Sequence, residues 1–315
     1  MATDREAMNL TIPTEYSFAR YLASKKSVDD LALNWHVWQA LTNRLPKSSF
    51  HGPLHVLEAG AGIGTMIERM LDSKLLENAI YTAIESRKEN RIHANERLKA
   101  WAFSHDHRFV EVSPDNWELL GSNRRMEIVF KNEDFFDFAS REHGKWDLII
   151  ANAFLDLVDI PATLPLMLKL LEKGSLFYFT INFDGVTIIE PVIDKEIDRM
   201  ILNEYHRTMD ERLVNGMHSG DSHSGRHLFA YLKDVGMQII DSGASDWVIF
   251  AKRNGYTQDE TYFLHFILNN IQEALKSNTE LESGLLNDWI SKRHNQVENN
   301  ELIYVAHQLD FVGIC

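Results

Sequence analysis

At 315 residues, 44% hydrophobic and 25% charged, the chain has the composition of a folded protein with one large core and is too apolar for a disordered one. Its net charge of -14, from 46 acidic against 32 basic residues, repels a phosphate backbone, so no nucleic-acid partner is expected. The single cysteine, Cys315, excludes a disulfide framework and a cysteine-based metal site, and acidic residues in MATDREAMNLT stand where a leader would be apolar.

No run of about 18 apolar residues occurs, so the expected setting is cytoplasmic, with no membrane partner. In the first fifty residues the pattern predicts helices, with aromatics at Tyr16, Phe18 and Tyr21. Ser27 to Asp30 (SVDD) reads as a capping box before a helix that reaches Arg44 and ends at Pro46. His55 to Leu57 predicts a strand, and Met66, Ile67, Met70 and Leu71 recur at helical spacing after Gly64. Ile80 to Ile84 predicts a second strand, with Ser86 and Glu89 as a capping box for a helix to about Trp101. Basic residues there, among them Arg87, Lys88, Arg91, Arg97 and Lys99, alternate with Glu89 and Glu96, the pattern of a solvated helix face.

Ser104 to Arg125 reads as irregular, followed by a strand at Met126 to Phe130 and another at Trp146 to Ala151, apolar enough for burial on both faces. Pro161 opens a helix closed by Gly174; Ser175 to Phe183 is a fifth strand; a polar helix runs from Pro191 to about Met209. Met237 to Ala251 reads as two short strands forming an antiparallel hairpin, and the chain from Gln258 onward as helical. Strands alternating with helices predict an α/β fold: a doubly wound, Rossmann-like, seven-stranded, mostly parallel sheet with an antiparallel terminal hairpin and helical extensions at both ends. The expected divisions are a helical lid over 1–50, the sheet domain over 51–252 and a helical extension over 253–315, packed on the core or on a dimer partner.

The segment EAGAGIG, Glu58 to Gly64, lies between the first strand and the first following helix. Glycines there let the chain turn sharply and approach a ligand without a Cβ in the way. The spacing is G-x-G-x-G, with Thr65 where a dinucleotide fingerprint places its third glycine. Glu85, at the end of the second strand, stands where a carboxylate accepts hydrogen bonds from both ribose hydroxyls. After the third strand, Asp134 could meet an adenine amino group while Phe135 covers the ring; Asn152, Ala153 and Phe154 end the fourth. The plainer readings are a ligand-free glycine loop, a capping or surface acid at Glu85, an ordinary acidic loop around Asp134 and a strand terminus at Asn152.

Together these positions resemble the class I S-adenosylmethionine methyltransferases, in the branch acting on small molecules such as those of quinone biosynthesis, over roughly Leu54 to Ala251. The resemblance implies S-adenosylmethionine as cofactor, with Glu58, Gly60, Ala61, Gly62 and Gly64 against its methionine part, Glu85 on the ribose, Asp134 and Phe135 at the adenine, and Asn152 and Ala153 at the boundary with substrate. Glu58 replaces the family's commoner aspartate. The amino-terminal segment corresponds to a lid from which Tyr16 or Tyr21 would face the methionine; core packing is the alternative. The reaction implied is in-line transfer of the sulfonium methyl to an oxygen, nitrogen or carbon of a small-molecule acceptor.

For that acceptor the unusual stretch is MHSGDSHSGRH, Met217 to His227. Asp221, His223, Arg226 and His227 are the candidate catalytic residues, with Arg226 pairing a carboxylate or phosphate and a histidine taking a proton. The alternative has Ser222 or Ser224 capping the next helix while the histidines and Asp221 bond locally. A metal held by His223 and His227 lacks a supporting motif, so none is expected. Asp156 and Asp159 could touch substrate, but capping of the helix at Pro161 is preferred. The aromatic carboxyl-terminal segment (Tyr262, Phe263, His265, Phe266, Leu268, Tyr304, His307, Phe311) implies burial against the core or a second copy. The competing functions are a nicotinamide-dependent oxidoreductase, disfavoured by the glycine spacing and the lack of a Tyr-x-x-x-Lys pair, a protein methyltransferase, and a non-catalytic scaffold with the cofactor fold.

Overall fold

The computed structural model describes residues 12–46, 52–214 and 216–315. Two helices come first, α1 (Phe18–Ala32) and α2 (Trp35–Arg44). Then follow β1 (Leu54–Ala59), α3 (Thr65–Asp72), β2 (Asn78–Ile84), α4 (Lys88–Ser104), β3 (Arg108–Ser113), β4 (Asn116–Gly121), β5 (Arg124–Lys131), α5 (Phe135–Arg141) and β6 (Trp146–Asn152). After a short 3-10 turn at Leu155–Leu157 come α6 (Ile160–Leu170), β7 (Leu171–Glu190), α7 (Lys195–Asp210), the two-residue strands β8 (Leu213–Val214) and β9 (Met217–His218), and α8 (Ser224–Asp234). The chain closes with β10 (Gln238–Ala244), β11 (Trp247–Ile249), α9 (Gln258–Leu275), α10 (Ser283–Glu298) and β12 (Ile303–Ile314).

One sheet carries the fold, in the order β10-β12-β7-β6-β1-β2-β5-β4-β3, with β11 also paired to β12. The run β5-β2-β1-β6-β7 is parallel throughout, as the alternation of strands and helices predicts. Parallel strands need covered faces. On one face α2, α3 and α4 bury Val37, Leu41, Met66, Ile67, Met70 and Leu98 with the sheet; on the other α5, α6 and α8 bury Phe138, Leu164, Met167, Leu228 and Leu232. The chain leaves β1 toward β2 on one side and β6 lies on the other, so a switch point opens beyond the carboxyl ends of β1 and β6.

Several expectations require correction. SVDD does not start a helix: α1 runs through it, capped by Ser17, whose side chain accepts from Arg20 N–H. The true break is at Leu33 and Asn34, where the Asn34 side chain accepts from the N–H groups of His36 and Val37. Ser86 is not a cap either; α4 begins after Arg87 with no side-chain cap, and the Arg87 N–H donates to Glu85 Oε1. The stretch from Ser104 to Arg125 contains an antiparallel hairpin, β3 and β4, added to the edge of β5. The sheet therefore has ten strands where seven were expected. Gly174 lies inside the start of β7, not at the end of a helix.

The largest correction concerns the carboxyl terminus. β10 and β11 do not form a hairpin with each other; both pair antiparallel with β12, which also pairs antiparallel with β7. Residues 253–315 are thus not a purely helical extension. Helices α9 and α10 are inserted before the strand that completes the sheet.

β7 and β12 are long for a reason that bears on the site. β7 pairs with β6 only as far as Thr180, whereas its pairing with β12 continues to Glu190. The excess length, with β11, forms a three-stranded wall rising past the carboxyl edge of the parallel sheet. Alternate residues on β12 point one way, and Ala306, Tyr304, Trp247, Ile249 and Ile189 bury against α9 and α10 in a separate core with Phe263, Ile271 and Trp289. Trp289 Nε1 and Arg293 Nη2 both donate to Asp198 Oδ1, at 2.5 and 2.8 Å, fastening α10 to α7. Of the carboxyl-terminal aromatics, Phe266 stacks on Tyr21 of α1 with ring centroids 4.0 Å apart, and Phe311 is buried in the sheet core, so this segment packs within its own chain. None of the described helices is long and apolar enough to cross a membrane.

Candidate functional site

A cavity of about 630 Å³ lies at the switch point, between the carboxyl edge of the parallel sheet, the β7-β11-β12 wall and the helices α1, α7 and α9. Its first half is made by loops leaving β1, β2, β5 and β6. Gly60, Gly62 and Gly64 all have positive φ (69°, 54° and 77°), which L side chains adopt at a cost. At Gly60 the space is closed as well: a Cβ there would come 2.7 Å from the Phe154 ring. The Gly62 N–H donates to Glu85 Oε2 and the Arg87 N–H to Glu85 Oε1, both at 2.8 Å. Glu85 thereby ties the glycine loop to the end of β2. Two carboxylate oxygens have about four acceptor positions, so Glu85, lining the cavity, keeps capacity for two further donors.

Glu58, at the end of β1, is buried and also lines the cavity. Tyr81 O–H donates to its Oε2 at 2.7 Å. Burial pushes its pKa up to about 8, against the pull of Tyr81 and the more distant Arg69, with the Glu85 charge adding to the rise. Asp134 caps α5 by accepting from Phe136 N–H at 2.7 Å through Oδ1, and is otherwise exposed at the cavity rim beside Phe135. Asn152 Oδ1 accepts from Thr180 O–H at 2.8 Å, and Ala153, with φ of 49°, carries the chain around the cavity floor.

Of the expected cofactor residues, Glu58, Gly60, Ala61, Gly62, Glu85, Asp134, Phe135, Asn152, Ala153 and Tyr21 all line this cavity. Gly64 does not; it sits one step back as the left-handed residue that starts α3. Tyr16 is also outside it, packed against Tyr262 and Phe266, so of the two tyrosines only Tyr21 faces the cavity.

None of Asp221, His223, Arg226 and His227 is among the cavity-lining residues, which removes the geometric basis for a catalytic role there. Arg226 pairs with Asp184 on β7, Nε to Oδ1 at 2.9 Å and Nη2 to Oδ2 at 3.0 Å, and donates to the Asp184 carbonyl as well. His227 Nδ1 lies 2.6 Å from Asp221 Oδ2, and Asp221 Oδ1 accepts from His223 N–H. Asp210, Asp221 and His223 cluster closely, yet their atoms are engaged: Asp210 takes both the N–H and O–H of Ser222, and His223 Nδ1 meets Ser222 Oγ. Neither serine caps α8; Ser224 O–H donates instead to the Phe183 carbonyl at 2.9 Å. The polar stretch braces the back of the β7 wall.

The second half of the cavity was not assembled by sequence reasoning. Its lining includes Lys25 and Asp29 from α1, Asp156 after β6, Phe183 and Thr187 from β7, Tyr205, Thr208 and Met209 from α7, Arg212 just beyond it, Trp247 from β11, Ile267 and Asn270 from α9, and Tyr304, Ala306 and Gln308 from β12. A period-two pattern at Tyr304, Ala306 and Gln308 is the signal that marks these as one strand face. Asp159 is the cap of α6, accepting from Ala162 N–H at 3.0 Å. Asp156 caps nothing, and its Oδ1 is buried with no hydrogen-bond partner. Burial raises the Asp156 pKa to about 6, opposed by Arg212, the residue's own backbone N–H and Lys25. Burial, then Asp156, pushes Tyr205 up to about 12.

No family model and no curated protein matches the chain. Solved structures do. A geranyl diphosphate C-methyltransferase from Streptomyces coelicolor A3(2) aligns at 12% identity and a TM-score of 0.44, covering 96% of this chain and 85% of its own. A protein from Bacillus halodurans C-125, provisionally described as a methyltransferase, aligns at 9% identity and 0.46, covering 89% and 99%. The phosphoethanolamine N-methyltransferase 2 of Haemonchus contortus aligns at 12% and 0.43, covering 96% and 58%. Likeness at this level says nothing about activity.

Proposed function

We propose that this protein is an S-adenosylmethionine-dependent methyltransferase acting on a small-molecule acceptor. The observation that carries the reading is the union of a left-handed glycine loop at the switch point with a carboxylate, Glu85, whose oxygens hold that loop and still face the cavity. A scaffold without ligand has no use for two left-handed glycines, Gly60 and Gly62, lining an open cavity. The residues also fit the group: Glu58 offers a negative or hydrogen-bonding oxygen to the methionine end, Glu85 suits a ribose diol, and Asp134 has an oxygen free for an exocyclic amine. A pyrophosphate is less well suited, since Thr65 stands where the dinucleotide loop has its third glycine, whereas Glu85 would serve the ribose of either cofactor.

When bound, the cofactor supplies an activated methyl on a sulfonium; the protein's work is placement and exclusion of water. Tyr21 and Leu22 of α1 cover the cavity on one side, while the β7-β11-β12 wall and α9 close the other. Asn152, Ala153 and Phe154 stand between the two halves, where the acceptor's nucleophile would approach. The enclosing helices favour a small acceptor over a polypeptide chain.

The test is ligand-dependent thermal stability. S-adenosylmethionine and S-adenosylhomocysteine are expected to raise the melting temperature, as any native-state ligand does, and a nicotinamide dinucleotide is not. The reverse pattern refutes the proposal. Glu85→Ala is expected to weaken S-adenosylhomocysteine binding by about a hundredfold, through the lost diol contacts and a loosened Gly62; unchanged affinity refutes the ribose assignment.

A further inference from the structure

The polar side chains of the cavity's second half are not evenly satisfied. The cations have partners. Lys25 Nζ is 2.5 Å from Asp29 Oδ2, and Arg212 donates from Nε to the Ser219 carbonyl and from Nη2, at 3.1 Å, to the carbonyl of Asp156 itself. Asp29 is further engaged by Trp247 Nε1 at 2.9 Å. Asp156 stands apart, because its carboxyl group is supported by its own backbone N–H but hydrogen-bonded by neither Lys25 nor Arg212, and Oδ1 is buried without a donor. Gln308, on the opposite wall and 2% exposed, likewise has its Oε1 buried and unpartnered.

A buried acceptor left without a donor is costly, and a buried carboxylate more so. Both unpartnered oxygens belong to residues lining one cavity, and both call for a ligand that brings N–H groups. The same cavity is lined by the aromatic residues Tyr21, Tyr205, Tyr304, Phe183 and Trp247, of which Tyr21 and Tyr205 lie close enough to feel the Asp156 charge. Aromatic faces attract cations and reject anions. An anionic acceptor would have to displace Asp29 from Lys25 or the backbone carbonyls from Arg212, and would face Asp156 in doing so.

On the methyl-transfer reading above, we propose that the acceptor is an amine carried on an apolar or aromatic body: Asp156 binds its protonated nitrogen and takes the proton that must leave before the freed lone pair displaces the sulfonium methyl, which yields the methylated ammonium and S-adenosylhomocysteine. The aromatic walls take the body, and Asp156 fixes the nitrogen on the side of the cavity where Ala153 and Phe154 meet the cofactor half. Asp156 is raised toward neutrality only by burial, and a bound ammonium reverses that rise by pairing with it.

The experiment measures two probes of nearly equal shape and opposite charge, phenethylammonium and 3-phenylpropionate, by isothermal titration calorimetry on the full chain saturated with S-adenosylhomocysteine. The amine is expected to bind and the carboxylate not. Asp156→Asn, which keeps the shape, is expected to weaken the amine by about thirtyfold or more, as loss of one member of a buried charge pair does, while S-adenosylhomocysteine affinity stays unchanged and reports that the variant is folded. Equal or tighter binding of the carboxylate, failure of both probes, or an unaltered amine affinity in the variant overturns the proposal. If the variant does not fold, the charge preference of the unmodified protein decides alone. A chain that fails to bind S-adenosylhomocysteine refutes the methyl-transfer reading instead, and the amine measurement, repeated without it, is independent of that result.

Discussion

Glu58→Gln tests whether the acid at the end of β1 is held neutral by its surroundings. The Glu58 carboxyl is buried, accepts one hydrogen bond from Tyr81 and has its pKa pushed up to about 8. In the unfolded chain a glutamate titrates near 4.3. The folded protein therefore holds a proton that the unfolded chain has lost, and the linkage has a definite sign: the Glu58 contribution to stability is full below the unfolded pKa and is lost as pH rises through about 8. Between about pH 6 and pH 8 the unmodified protein is expected to lose on the order of 2 kcal/mol through this one group. Glutamine keeps the bond to Tyr81 and cannot ionise, so the variant lacks that loss. Asp156 and Asp310, both raised to about 6 by burial, slope the same way at lower pH in both proteins and cancel in the difference. The assay is urea denaturation of both proteins, without ligand, across that range. The stability difference should shift in favour of the variant as pH rises. Parallel curves would show that Glu58 is ionised in the folded state and that the burial argument is wrong.

Two further outcomes follow from the same geometry. Gly60→Ala forces a Cβ into the Phe154 ring at 2.7 Å and a left-handed φ onto alanine, so a loss of about 2 kcal/mol in stability and a marked fall in S-adenosylhomocysteine affinity are expected in denaturation and calorimetry; wild-type behaviour in both would show the loop to be slack. Arg226→Ala removes the fork on Asp184 and is expected to lower the melting temperature slightly, since the guanidinium is solvent-exposed and screened, while leaving cofactor and acceptor binding unchanged. A selective loss of acceptor binding would return Arg226 to the site.

The near-neighbour chemistry was legible in the chain. A glycine run after an apolar strand and before a helical repeat can only be a close turn, and Glu85 at the next strand's end falls beside it because parallel neighbours end at the same sheet edge. Ten of the twelve residues expected at the cofactor do line one cavity, and the two that do not, Gly64 and Tyr16, miss by one step of backbone or one turn of packing. The histidine-rich stretch misled because residue type was read without its partners. Asp184 and Asp210, which engage Arg226 and Ser222, lie 42 and 12 positions away, and local spacing carries no information about them.

What the sequence by itself determined is the half of the site built from consecutive strand-to-helix turns, where backbone conformation and a one-strand step fix geometry locally. The tertiary structure decided the other half. β12 reads as a strand only through its alternation at Tyr304, Ala306 and Gln308, and nothing in it announces that it enters the sheet between β7 and β10. That placement follows from long-range pairing, with β7 on one side and β10 and β11 on the other. Asp156, Tyr205, Trp247 and Gln308 come from four separate parts of the chain, and only that closure brings them around one space.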